Sequence, residues 1–241
     1  MNAGRLRDVG ASKRGQRQGS LEFPNGWGGR RAGAGPKPKG ERAGVSHRTR
    51  AALASRFPVH VTMKLRSGLP TLRSRGAFAV LTAAFAAMRE REDFRLVHYS
   101  VQSNHVHLIC EARDRPALSR GIQSLAIRIA KRLNSLWKRA GQLFADRYHD
   151  HILRTPREVR NALAYVLNNA AHHGVRLASG QPDPCSSGRW FTGWRGGLVD
   201  LARPPNPLAA AKTWLLSVGW LRCGRIELLE ASCDIVSHDI R

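Results

Sequence analysis

Cysteine is sparse in this chain of 241 residues: there are four, at positions 110, 185, 223 and 233, and none forms a Cys-x-x-Cys pair. That scatter excludes a zinc ribbon and a disulfide-stapled secreted scaffold, and it suits a reduced, cytoplasmic protein. Acidic residues are scarce too, with Asp+Glu 17 against Lys+Arg 40 and a formal net charge of +23. A surplus of this size disfavours basic partners and points to a polyanion, above all nucleic acid, and so to a nucleoid-associated location. No apolar run approaches the ~18 residues of a membrane span. The first residues hold no apolar core of the signal-peptide kind, so no membrane partner is expected. Tyrosine occurs three times, at 99, 148 and 165, so chemistry that needs a phenol has three places to occur. A two-histidine phosphoesterase is disfavoured, because that chemistry needs two His-x-Thr/Ser repeats and none is recognised.

What the chain does contain is periodic. Residues 1–56 are rich in Gly, Arg, Lys and Pro, as in the run from Gly28 to Gly40. Such a composition cannot bury enough surface to fold and reads as a disordered basic arm. It either lies along phosphates or is a solvated tail. Order is expected from Val59, where Val59, Val61, Met63 and Leu65 alternate with polar residues in a strand buried on one face. A helix over 76–91 carries Phe78, Leu81, Phe85 and Met88 as its apolar stripe. A strand over 94–102 places Val97, Tyr99 and Val101 on one face, and Ser103-Asn104 turns it into a second strand over 105–112. Asp114-Arg115-Pro116 opens a long helix whose stripe is Leu118, Ile122, Leu125, Ile129, Leu133 and Leu136. Arg128, Lys131 and Arg132 lie on its basic face, either solvated or set against phosphates. Gly141 breaks that helix, and residues 144–153 read as a further strand. Thr155, Pro156 and Glu158 are strong helix-start signals, and Gly174 is the matching stop. Strand, helix, strand, strand, helix, strand is the ferredoxin-like order. The fold class is therefore α+β: a βαββαβ antiparallel sheet with one additional C-terminal helix that carries Tyr165. The first and third strands are expected to be neighbours. The domains are read as the arm over 1–56, a folded domain over 57–175 and a C-terminal extension over 176–241.

Chemistry concentrates at Ser103-Asn104-His105-Val106-His107. A strand has period two, so His105 and His107 share a face while Val106 and Leu108 point to the core. Two imidazoles side by side are useful as metal ligands. On the last helix, Val159, Leu163, Val166 and Leu167 form an apolar arc, and Tyr165 falls on its flank with Asn169 one turn later. If that helix covers the open sheet face, Tyr165, Asn169, His105 and His107 converge. Two neutral imidazoles and an amide oxygen hold a divalent cation without cancelling its charge, and a nearby phenol can attack phosphorus. Tyr148 is a rival nucleophile, and His149-Asp150-His151 allows a four-histidine zinc site as an alternative.

These residues resemble the single-tyrosine HUH endonucleases, in particular the IS200-like and REP-associated tyrosine transposases. The likeness lies in His105-Val106-His107, the segment Gly141 to His149, Thr155-Pro156-Arg157-Glu158-Val159 and Tyr165-Val166-Leu167-Asn168-Asn169. Relatives often carry Asn-Pro where this chain has Asn169-Ala170. The resemblance implies Mg²⁺ or Mn²⁺ on His105, His107 and Asn169. It implies Tyr165 as the nucleophile that becomes joined to a DNA 5′-phosphate, single-stranded or hairpin DNA as substrate, and a monomer or homodimer. A catalytically silent DNA-binding protein of the same fold is the second reading. Arg147 and His149 form either a polar edge strand or a phosphate contact near the cut. In the extension, Trp190-Phe191-Thr192-Gly193-Trp194-Arg195 is either a satellite cluster that docks the segment or a stacking platform for bases. Leu208 to Val218 reads as a short helix.

Overall fold

The computed structural model describes residues 50–172, 180–198 and 205–230. The basic arm as far as residue 49 and the stop at Gly174 lie outside the described residues. The elements in chain order are β1 (Val59–Lys64), α1 (Arg75–Ala86), β2 (Phe94–Val101), β3 (His105–Ala112), α2 (Arg115–Leu136), β4 (His149–Ile152), α3 (Pro156–His172) and α4 (Trp214–Ser217). The four strands form one antiparallel sheet in the order β2-β3-β1-β4. This is the ferredoxin-like arrangement, with the first and third strands adjacent and the helix bearing Tyr165 following β4.

Local chemistry sets the helix starts. The Asp114 carboxylate accepts from the Ala117 N–H at 2.7 Å and Ser74 Oγ accepts from the Ala77 N–H, each satisfying an amide that a helix start leaves open. At α3, Thr155 Oγ1 accepts from the Glu158 N–H at 3.2 Å, while the Glu158 carboxylate accepts from the Arg154 N–H. The reciprocal box therefore closes one residue earlier than the usual pattern.

Helices α1 and α2 pack on one face of the sheet, against Val59, Val61, Met63, Phe94, Leu96, Tyr99 and Leu108. Helix α3 covers the other face, where Val159, Leu163, Val166 and Leu167 meet Val97 and Ile109. This double cover corrects the reading of β1 as buried on one face, because His60 and Thr62 are buried as well. A bulge between Leu96 and His98 also corrects the strand phase. Tyr99 and Val101 stay with the α1/α2 core, whereas Val97 packs on the α3 side. The extra residue switches the alternation, which period-two reading cannot detect. Leu136 leaves the stripe and is 45% exposed at the helix end. The strand expected over 144–153 shrinks to four residues, with Phe144 bridging Leu65 alone. Packing begins before Val59: Leu53 is buried, and Arg50 pairs with Asp150 and lies over the Tyr148 ring.

The described part of the extension is welded to α3. Phe191, Trp194 and Trp220 share its apolar cluster, with ring centroids 5.2 Å (Phe191–Trp194) and 5.4 Å (Phe191–Trp220) apart. Phe191 and Trp194 are thus core side chains rather than a platform for bases. The buried Glu111 carboxylate accepts from the Lys212 and Thr213 N–H groups and from Thr213 Oγ1, anchoring the start of α4. The helix expected over Leu208 to Val218 is limited to these four residues. Among the described residues no helix is long and apolar enough to cross a membrane.

Candidate active site

Strand register builds the site. On the α3 face, Ser100, His107, Thr62 and His149 form a row across all four strands, and Lys64 lies directly opposite His105. The His105 and His107 rings meet edge to face with centroids 4.7 Å apart. His105 Nδ1 lies 2.8 Å from Asn104 Oδ1, which can only accept, so the proton sits on Nδ1 and the lone pair on Nε2. His107 Nδ1 lies 3.1 Å from Thr62 Oγ1 and 3.2 Å from His60 Nε2. The Nε2 atoms of His105 and His107 are buried.

Helix α3 brings the phenol. The Tyr165 ring stands edge-on to His107 at 5.1 Å and to His60 at 5.9 Å. It is half-buried on the rim of the α3 cluster, as its flank position on the helix requires. Burial pushes its hydroxyl above the usual phenol range, and the contact with Asn169 draws it back down. The phenol is therefore protonated at neutral pH. Asn169 is fully buried beside it, and its amide makes no hydrogen bond beyond that contact with Tyr165. A buried amide left in that state is costly unless something polar comes to it. If His107 takes the same tautomer as His105, two Nε2 lone pairs and the buried amide oxygen are a donor set of the kind a small divalent cation takes. Among the described residues no three His, Cys, Asp or Glu side chains gather around a metal position. The four-histidine zinc alternative therefore has no support, and any cation here needs the amide.

The other tyrosines are elsewhere. Tyr99 is buried against Phe85 at 4.6 Å, and burial raises its hydroxyl far above the usual range. Tyr148 packs on the α1/α2 side, its hydroxyl 3.1 Å from Ser119 Oγ. The predicted DNA contacts divide. His149 faces the site opposite Thr62, and Arg147 is exposed just ahead of β4. Arg128, Lys131 and Arg132 are exposed on α2, on the far side of the sheet from Tyr165. The geometry does not bring them to Tyr165.

The strand order sets the His60/Thr62/Lys64 face of β1 beside the His105/His107 face, and the register places it there, but sequence reading gave these three residues no role. The signal was present, since His60-Val61-Thr62 alternates in phase with the histidine pair across the expected pairing. Burial and nearby His151 hold the His60 imidazole down to about 4, so it is neutral. The chain does contain two His-x-Thr/Ser triplets, His60-Val61-Thr62 and His98-Tyr99-Ser100. Ile109 lies in register between His60 and His98, and His98 is bound to Ser187 and stands against Phe191. The two histidines therefore do not flank a common cleft.

Residues 59–169 match the model of the family described as transposase, IS200-like. Among solved structures, a REP-associated tyrosine transposase bound to a REP hairpin is similar, with a TM-score of 0.51 and 17% identity. The match covers 65% of this chain and 95% of that one. At that identity the likeness concerns the fold. No curated protein matches the chain.

Proposed function

We propose, from the match of residues 59–169 to the IS200-like transposase family, that the chain is a DNA transposase that cuts and rejoins strands through Tyr165. The observation that carries this reading is the 5.1 Å approach of the Tyr165 ring to His107, with Asn169 buried alongside. Tyr165 acts as nucleophile. Its oxygen bonds to phosphorus, the bond from phosphorus to the 3′ oxygen breaks, the phenol proton is lost, and the 3′ oxygen leaves as a hydroxyl after gaining a proton. The DNA 5′-phosphate remains on Tyr165. Attack by a 3′-hydroxyl reverses the step and reseals a strand, since the diester energy is kept in the phosphotyrosine. His105, His107 and Asn169 would hold Mg²⁺ or Mn²⁺, which when bound would supply Lewis-acid polarisation of a phosphodiester oxygen.

The substrate class is single-stranded or hairpin DNA. The net charge of +23 and the hairpin held by the structurally similar transposase support it. Lys64, Arg147 and His149 are assigned to phosphates close to the cut. Arg128, Lys131 and Arg132 serve a part of the DNA that passes around the sheet. The catalytic unit is assigned to residues 57–175. Incubation of hairpin-bearing single-stranded DNA with the chain and Mn²⁺ should give a covalent protein–DNA adduct. Tyr165→Phe should abolish it and Tyr148→Phe should leave it. Tight binding with no adduct from the unaltered chain would instead establish a silent DNA-binding protein.

A further inference from the structure

We propose that His60 and Thr62 are positioning residues that prepare His107 to take a divalent cation, with His60 also fixing the spacing between His107 and Tyr165. This rests on the reading of His107 as a ligand given above. A neutral imidazole has two nitrogens and one proton. If Nε2 of His107 gives its lone pair to a cation, the proton is forced onto Nδ1. That nitrogen is buried, and a buried N–H without an acceptor is penalised. Two acceptor atoms converge on it from β1: Thr62 Oγ1 at 3.1 Å, from the residue directly opposite in register, and His60 Nε2 at 3.2 Å. The His60 ring also stacks on His107, with centroids 5.3 Å apart and planes 25° apart, so its contact limits rotation of the ligand ring. The same His60 ring meets Tyr165 edge-on at 5.9 Å. One side chain thus touches both the ligand and the phenol. Outer partners of this kind orient ligands and raise their basicity.

The test is Mn²⁺ affinity of the full chain without DNA, read from the spectroscopic signal of free Mn²⁺. The double substitution His60→Leu with Thr62→Val should weaken Mn²⁺ binding by about 10–100-fold, the range for lost outer partners of a metal ligand. Thr62→Ser, which keeps the hydroxyl, and His60→Gln, which keeps an acceptor at similar reach, should stay close to the unaltered chain. Thr62→Val alone removes one acceptor with little change of shape and should give an intermediate loss, which keeps the question answerable if the double variant does not fold. His107→Ala sets the reference. If His107→Ala loses Mn²⁺ while the folded double variant binds as the unaltered chain does, the positioning role is overturned and the ligand role of His107 stands. If His107→Ala also binds normally, the metal reading itself fails and this proposal falls with it.

Discussion

Two neighbouring amides divide the work on α3. Asn168 is spent on packing: its Nδ2 donates to the Glu227 carbonyl at 3.1 Å and its Oδ1 accepts from the Leu229 N–H at 3.0 Å. Asn169, one residue on and about 100° around the helix, faces Tyr165. The two should therefore fail differently. Asn168→Ala strips partners from two backbone groups and should cost about 1–3 kcal/mol in denaturant unfolding, with Mn²⁺ binding retained. Asn169→Ala should weaken Mn²⁺ binding and cost less stability than Asn168→Ala, because its amide holds the Tyr165 hydroxyl and strips no backbone group of a partner. Equal effects of the two substitutions on Mn²⁺ binding would contradict this division. The sequence placed Asn169 beside Tyr165 through four-residue spacing. It did not reveal what Asn168 does, because its partners lie 59 and 61 residues away.

At the scale of elements, close contacts fix how the helices lie on the sheet. A Cβ on Gly121 of α2 would stand 2.3 Å from the Phe94 ring of β2. Alanine is the better helix former by ~1 kcal/mol, yet Gly121→Ala should destabilise by about 1–3 kcal/mol, because a buried ring has nowhere to move. A thermal melt of that variant decides between propensity and packing. His98 on β2 ties the extension to the sheet through Ser187 Oγ at 3.2 Å and is held by burial to about 4, against an ordinary value of 6.5. The unfolded chain therefore takes up a proton in a range where the folded one does not. Its contribution is complete above pH 6.5, declines as pH falls, and is gone near pH 4, amounting to at most ~3 kcal/mol. His98→Gln should flatten that part of the stability–pH curve, as followed by urea unfolding between pH 7 and 4. An unchanged slope would show that His98 does not titrate in this way.

At the scale of the whole molecule, the sheet separates two surfaces. Tyr165 lies on α3 with the histidines on the sheet face below it, while Arg128, Lys131 and Arg132 lie on α2 behind the sheet. Replacing these three by Glu should weaken binding of a long hairpin DNA and lower the dependence of its affinity on salt, since fewer counterions are released. Adduct formation on a short oligonucleotide that reaches only the Tyr165 side should survive. If the short substrate fails equally, the two surfaces are not separable in function.

Periodicity in the chain was sufficient for the strand and helix order, the shared face of His105 and His107, and the flank position of Tyr165, because each depends on repeats of two or about four residues along a single element. The strand order put the His60/Thr62 face beside the histidine pair, but only the tertiary structure decided which atoms His107 meets, since His60 and Thr62 are 47 and 45 residues away and their contacts depend on the β1–β3 register. It also decided the fate of the aromatic run at 190–195. Whether Phe191 and Trp194 receive bases or bury themselves depends on a surface to cover, and α3 supplies one that pattern reading cannot see. The same holds for Val97, where one inserted residue reverses the alternation for a reason that lies in the neighbouring strand.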